Sequence, residues 1–178
     1  MALTGDILTI RYGGPVDHQP IEYSIGKGGS GQTLYRGSVA LISGGTTVTK
    51  GYLKNASSPA STDLVVGLLQ GYGPSCGQAD IGPGMGGSVL NTADGVLTAT
   101  VATGTFLLLA GTGADALTIT NIQTPVYLQN EDTVAATSGG GTRPVAGLLV
   151  QVPATDASIP AGYVAVQLGT QNGPWGGV

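Results

Sequence analysis

His18 stands beside Asp17 in the segment GGPVDHQP, and Cys76 is the chain's only thiol. An imidazole steered by a carboxylate is the general base of serine hydrolases, where it takes the proton of an attacking hydroxyl. The strand-turn-helix context G-x-S-x-G that often presents such a serine is missing. Zinc sites need several Cys, His or carboxylate ligands at short spacing. One His and one Cys, far apart in sequence, do not supply them. NEDT (Asn130–Thr133) is acidic but much shorter than a calcium loop of about twelve residues, and it reads as a turn. GKGGSGQT (Gly26–Thr33) has the glycines of a phosphate loop. Its Lys is not followed by Ser or Thr, and no helix follows to present its N-terminus. Asn55–Ser57 matches a glycosylation acceptor, but nothing at the start of the sequence reads as a secretion signal. Paired acids for glycoside cleavage are not evident among ten scattered carboxylates. No catalytic residue, metal or cofactor is expected, and the chain does not read as an enzyme.

The groups that remain are those that make contacts. Only 9% of the 178 residues are charged, whereas an average domain carries about 25%. Glycine contributes 32 residues and proline 10. The six basic residues form no patch of the kind nucleic acid requires. The formal charge of −4 arises in the second half, where Arg143 faces Asp94, Asp115, Glu131, Asp132 and Asp156. No apolar run is long enough to span a bilayer. A lone Cys excludes an intrachain disulfide, which suits assembly in a reducing cytoplasm.

The elements that must position any contact surface are strands. Gly or Pro interrupts nearly every window long enough for a helix, and the residues between are rich in Val, Ile and Thr. Alternation places Val164, Val166 and Leu168 on one face, and Leu97, Ala99 and Val101 on another. The strands expected are Ile7–Tyr12, Ser38–Ser43, Thr47–Leu53, Leu64–Gln70, Val96–Thr103, Thr105–Ala110, Ala116–Ile122, Val126–Gln129, Val145–Val152 and Tyr163–Gly169. Short strands divided by Gly, Asn and Pro turns indicate an all-β fold, a compact β-barrel or β-sandwich, tulip-like in one form. Residues 1–33 read as an extended arm with a Gly-rich segment, and residues 34–178 as the β domain.

Part of that domain repeats. GSVALISG, YLKN and VVGLLQ (Gly37–Gly44, Tyr52–Asn55, Val65–Gln70) recur in order as GTFLLLAG, YLQN and VAGLLVQ (Gly104–Gly111, Tyr127–Asn130, Val145–Gln151). Two related three-strand units are therefore expected, 37–70 and 104–151. Three strands bury too little apolar surface to stand alone, so the units should share a core. Gly67 and Gly147 then occupy matching places inside strands, where glycine marks a bulge or a close backbone approach.

The succession of YRGSVALISGGTTVTKGYLKNAS, DLVVGLLQG, GTFLLL, PVYLQNEDTVAAT and RPVAGLLVQVPATDASIPAGYVAVQLG resembles the small capsid cement or decoration proteins of tailed bacteriophages, over roughly Ile21 to Gly169. The Gly-rich insert Gly71–Gly87 and the tail through Trp175 depart from that pattern. The resemblance implies a virion protein on the exterior of an expanded capsid, assembled in the host cytoplasm. Its partner would be the major capsid protein, and it would be a homo-oligomer, a trimer rather than a dimer. No membrane, nucleic acid or catalytic residue is implied. DILTIRY near the N-terminus is the segment expected to add a strand to a sheet edge. Ile7, Thr9, Arg11 and Tyr12 are its candidate contacts, with Arg11 placed to pair with a shell carboxylate. Trp175 is a candidate anchor in a neighbouring subunit. The alternative is a phage fibre or receptor-binding β domain that recognises surface glycans, suggested by an all-β pattern with Gly-rich loops.

Overall fold

Runs of β-branched and apolar residues bounded by glycine set the strand order of this chain, seen here in a computed structural model that describes residues 21–27, 31–72 and 88–168. Along the chain the strands are β1 (Ile21–Ser24), β2 (Gln32–Tyr35), β3 (Val39–Ile42), β4 (Leu53–Lys54), β5 (Leu64–Tyr72) and β6 (Ser88–Asn91). They continue as β7 (Thr98–Ala102), β8 (Gly104–Ala110), β9 (Pro125–Leu128), β10 (Thr133–Ala135), β11 (Val145–Gln151) and β12 (Tyr163–Leu168). The only helical turns among the described residues are two 3-10 turns, Gly113–Asp115 and Ile119–Asn121. The fold is all-β, as expected.

One sheet runs β1-β7-β5-β3-β4, and β10-β8-β12-β11-β9 close into a barrel. β2 and β6 pair by themselves. The sheet and the barrel share one topology. β1, β3, β4, β5 and β7 correspond, in the same chain order, to β8, β9, β10, β11 and β12. Each antiparallel pairing of the sheet has its counterpart in the barrel. The closing contact is parallel in both. β10 pairs with β8, and Ile25, just after β1, bridges Leu53 of β4. The Gly26 amide donates to the Leu53 carbonyl at 2.9 Å, and the Gly111 amide to the Val134 carbonyl at 2.7 Å.

Register agrees residue by residue. Gly67 faces Ala40 and Gly147 faces Val126; Leu69 faces Val101 and Leu149 faces Val166. Both central strands carry two bulges at matching places. The extra residues are Val66 and Gln70 in β5, and Ala146 and Val150 in β11. A bulge bends its strand and steepens the local twist, which is how a short sheet curls toward closure.

This correspondence relocates the repeat. GSVALISG forms β3, whose counterpart is β9, while GTFLLLAG forms β8, whose counterpart is β1. YLKN lies on β4 and YLQN on β9. Only VVGLLQ and VAGLLVQ fall on corresponding strands. The related sets have five strands each, and one residue, Thr103, separates β7 of the first from β8 of the second. Residues 21–33, read from the sequence as arm, contain β1 and the start of β2.

Two expected strands are replaced. Residues 47–52 form a turn in which the Ser43 hydroxyl donates to the Val48 carbonyl and the Gly51 amide to the Ser43 carbonyl. Gly45 and Gly51 have φ of 101° and 89°, values that glycine adopts without steric cost. Ala116–Ile122 instead holds the second 3-10 turn. The Asn121 side chain accepts the Thr118 amide and captures the backbone before a strand can form.

The core has two principal parts. Ile25, Ala40, Leu53, Val66, Leu69, Ala99 and Val101 fill the inside of the first set. Its outward residues Val39, Leu41, Val65, Leu68 and Ala102 merge with the interior of the barrel in one cluster. The two sets are thus one body, since neither could expose that surface to water without a large hydrophobic penalty.

Candidate functional site

Charged side chains are few, and the fold uses several of them internally. Lys54, on β4, lies 2.8 Å from the Asp63 carboxylate, with side-chain exposures of 2% and 0%. Lys54 also donates to the Ser58 carbonyl at 3.1 Å. Asp63 accepts the amides of Gly44 at 2.9 Å and Ala60 at 2.8 Å. A buried ion pair survives only when its remaining donors and acceptors are satisfied, and here these contacts do so. The pair ties the loop of residues 55–63 back onto β4.

Gln32 does similar work without charge. Its side-chain amide donates to the carbonyls of Gly26 and Leu53 and accepts from the Asn55 amide. It therefore stitches the closing contact of the first set to β2. On the surface, Asp94 accepts the Lys27 amide and the Thr49 hydroxyl. The Lys27 amide, then Thr49, holds its carboxyl below the ordinary value. Asp115 is lowered in the same way, first by the Arg143 guanidinium at 2.9 Å and then by the Thr137 hydroxyl. That cluster ties the first 3-10 turn to the start of β11.

Glu131 is different. It is 4% exposed, and its backbone carbonyl accepts the Val39 amide at 2.7 Å, joining β3 to the β9–β10 turn of the barrel. Burial, with a smaller contribution from the neighbouring Asp132 charge, raises its pKa. The sign follows. A carboxyl whose folded pKa lies above its unfolded value opposes folding once it is ionised, and the penalty fades as pH falls through the folded pKa. Glu131→Gln is therefore expected to raise the melting temperature at pH 7. The two melting curves should converge as the pH approaches the carboxylate range; a variant that melts lower at pH 7 contradicts the assignment.

These groups do not converge on one reaction centre. Among the described residues no three His, Cys, Asp or Glu side chains gather as metal ligands. Ile7, Thr9, Arg11, Tyr12 and Trp175, the expected contacts, lie outside the described residues, as do His18 and Cys76. Gly67 and Gly147 are described. A Cβ on Gly67 would sit 2.2 Å from the Ala102 carbonyl oxygen, and one on Gly147 would sit 2.0 Å from that of Gln167. Both glycines serve close backbone approach inside their sheets. Sequence reasoning missed Lys54, Asp63, Gln32 and Glu131. The available signal was a lysine interrupting the apolar run of YLKN and an acid set immediately before LVVGLL.

The fold defines a class: an all-β body of two topologically equivalent five-strand sets sharing a core. No helix among the described residues is long and apolar enough to cross a membrane. Comparison with known protein families, curated proteins and solved structures finds no match to this chain.

Proposed function

We propose that this chain is a structural virion protein that binds the outer surface of an expanded phage capsid and stabilises the shell. Its partner in that role is the major capsid protein, it works as a homo-oligomer on the capsid exterior, and no catalytic step is involved. The ordered segments that resemble capsid cement proteins motivate the reading. The observation that carries it is the core shared by the two five-strand sets, which makes the chain a rigid body able to brace neighbours. Internal pairing of Lys54, Asp63, Asp115 and Arg143 adds support. Charges already satisfied within the fold need not be stripped of water at a protein contact. Many modest contacts across linked copies add up to strong retention on a lattice.

The direct test mixes the purified chain with bare expanded capsids. Co-sedimentation and a higher capsid melting temperature are expected. A chain that stays in the supernatant and leaves the capsid's melting unchanged overturns the proposal. Deleting residues 1–12, which removes Ile7, Thr9, Arg11 and Tyr12, should weaken capsid binding at least about tenfold. The melting temperature of the chain itself should stay within a few degrees of the parent. Undiminished binding would remove those four residues from the contact surface.

A further inference from the structure

One side of β1 is lined by β7, with Ile21 opposite Val101 and Tyr23 opposite Ala99, and the Ile25 amide continues the ladder to the Leu97 carbonyl. Main-chain groups alternate sides along a strand, so those of Glu22 and Ser24 point away from β7. On that outer side the Gly26 amide reaches the Leu53 carbonyl, and the bridge to β4 stops at Ile25. The barrel continues one residue further. Leu109, the counterpart of Ser24, pairs with Thr133 of β10 and donates its amide to the Asp132 carbonyl. Tyr52, the counterpart of Thr133, belongs to the 47–52 turn, its amide donating to the Thr49 carbonyl. β4 therefore covers the end of β1 only, and among the described residues nothing pairs with Glu22 on its outer side.

An open edge calls for a strand, since an extended chain satisfies its amides and carbonyls in succession. The side chains point the same way. Ile21, Tyr23 and Ile25 share one face of β1. Ile25 is fully buried and Tyr23 packs against the interior of the first set, yet Ile21 is 50% exposed. Glu22 is exposed on the opposite face, where the Thr98 hydroxyl donates to its carboxylate.

We propose that Thr9–Tyr12 of the same chain pairs antiparallel with Ile21–Ser24 and fills the edge that β4 leaves open. Residues 9–12 lie outside the described residues, and three observations select them. The segment is joined to the end of this very strand, because residue 20 leads directly into Ile21. The eight residues between Tyr12 and Ile21, GGPVDHQP, hold two glycines and two prolines, the residue types that reverse a chain. The pairing also matches by type. With Arg11 opposite Glu22, Tyr12 stands opposite Ile21, Ile10 opposite Tyr23 and Thr9 opposite Ser24. Opposite residues share a face. The inner face thus gains two aromatic–aliphatic pairs, which cover Ile21, and the outer face gains an ion pair and a hydroxyl pair. A slip of one residue would turn Arg11 to the inner face. The pairing ends at Thr9 because Leu53 holds the next place, beside Ile25. Arg11, read from the sequence as a partner for a shell carboxylate, then has one in its own chain.

Four residue pairs at an exposed edge add little stability, in keeping with the small melting change expected on deleting residues 1–12. The added strand keeps an outer edge of its own, from which the arm can meet a shell. The assignment goes beyond the proposed function and stands without it, since its test uses no capsid.

Amide hydrogen exchange of the full chain, read by NMR, provides that test. The Glu22 amide should exchange at least about tenfold more slowly than in a chain lacking residues 1–12. The Tyr23 amide, directed at β7, should be equally slow in both. Cysteine pairs check the register. Tyr12→Cys with Ile21→Cys, in a Cys76→Ser background, should close a disulfide within one chain, because opposite residues of this kind bring their Cα atoms within about 4.5 Å. Arg11→Cys with Ile21→Cys, on opposite faces, should stay reduced. A Glu22 amide that exchanges alike with and without residues 1–12 overturns the proposal. So does a Tyr12–Ile21 cysteine pair that stays reduced, links separate chains or closes no faster than the control pair.

Discussion

Gly147→Ala should lower the stability of the chain by about 3 kcal/mol, and Gly67→Ala by about 4 kcal/mol, as read by urea unfolding followed by circular dichroism. The added methyl meets a backbone carbonyl, not a side chain that can swing away. For Gly147 the nearest atom is the Gln167 oxygen at 2.0 Å, and for Gly67 the Ala102 oxygen at 2.2 Å. Either strand pair must part, and the ladder that carries the bulges parts with it. Gly67 carries a second penalty because its φ is 145°, a region closed to residues with a Cβ. Gly51 separates the two causes. Its φ is 89°, and beyond its chain neighbours nothing lies within 4 Å of where a methyl would sit, so Gly51→Ala should cost only about 1 kcal/mol. The expected order is Gly67, Gly147, Gly51. If Gly147→Ala unfolds within about 0.5 kcal/mol of the parent, the strands do not approach as described and the equivalence of β5 and β11 loses its main support.

Those two glycines also show how far the sequence could be read. V-x-G-L-L is the one segment whose repetition tracks the structural correspondence, and the reason is steric. Where a neighbouring carbonyl sits about 2 Å from the would-be Cβ, substitution has no tolerated outcome. The other corresponding strands answer to different surroundings. Tyr23 of β1 matches Leu108 of β8, and Lys54 of β4 matches Ala135 of β10. Each keeps its backbone register while its side chain serves a different neighbour. Register is held by hydrogen bonds that every residue can make, so it leaves little trace in residue identity. Likeness between GSVALISG and GTFLLLAG came instead from two strands needing the same small and aliphatic residues. The all-β class was legible for another reason: glycine and proline interrupt nearly every stretch long enough for a helix, whatever the partners are. Strands as short as IEYS and TVA were hidden, since two or three alternations do not stand out from a loop. The Lys54–Asp63 pair was hidden because its two members are nine residues apart and meet only through the path of the intervening turn.

That pair sets the other large effect. Lys54→Met should cost about 3–5 kcal/mol, because it leaves the Asp63 carboxylate buried with two backbone amides and no countercharge. Asp63→Asn should cost a similar amount by leaving the buried Lys54 ammonium with neutral oxygens such as the Ser58 carbonyl and no countercharge. The double variant removes both charges. The introduced asparagine can still offer its carbonyl oxygen to one of the Gly44 and Ala60 amides, and the introduced methionine fills much of the lysine stem's volume. The double variant should therefore be more stable than either single variant, losing about 2 kcal/mol for the amide left unsatisfied. The cycle then yields a coupling of several kcal/mol, far above the values of up to about 1 kcal/mol found for exposed pairs. Salt provides an independent reading. A pair with side-chain exposures of 2% and 0% is poorly screened, so the coupling should hold between low and high ionic strength, whereas the surface pair of Arg143 and Asp115 should weaken. Single variants that lose less than about 1 kcal/mol, or a coupling that salt erases, would mean that water reaches Lys54.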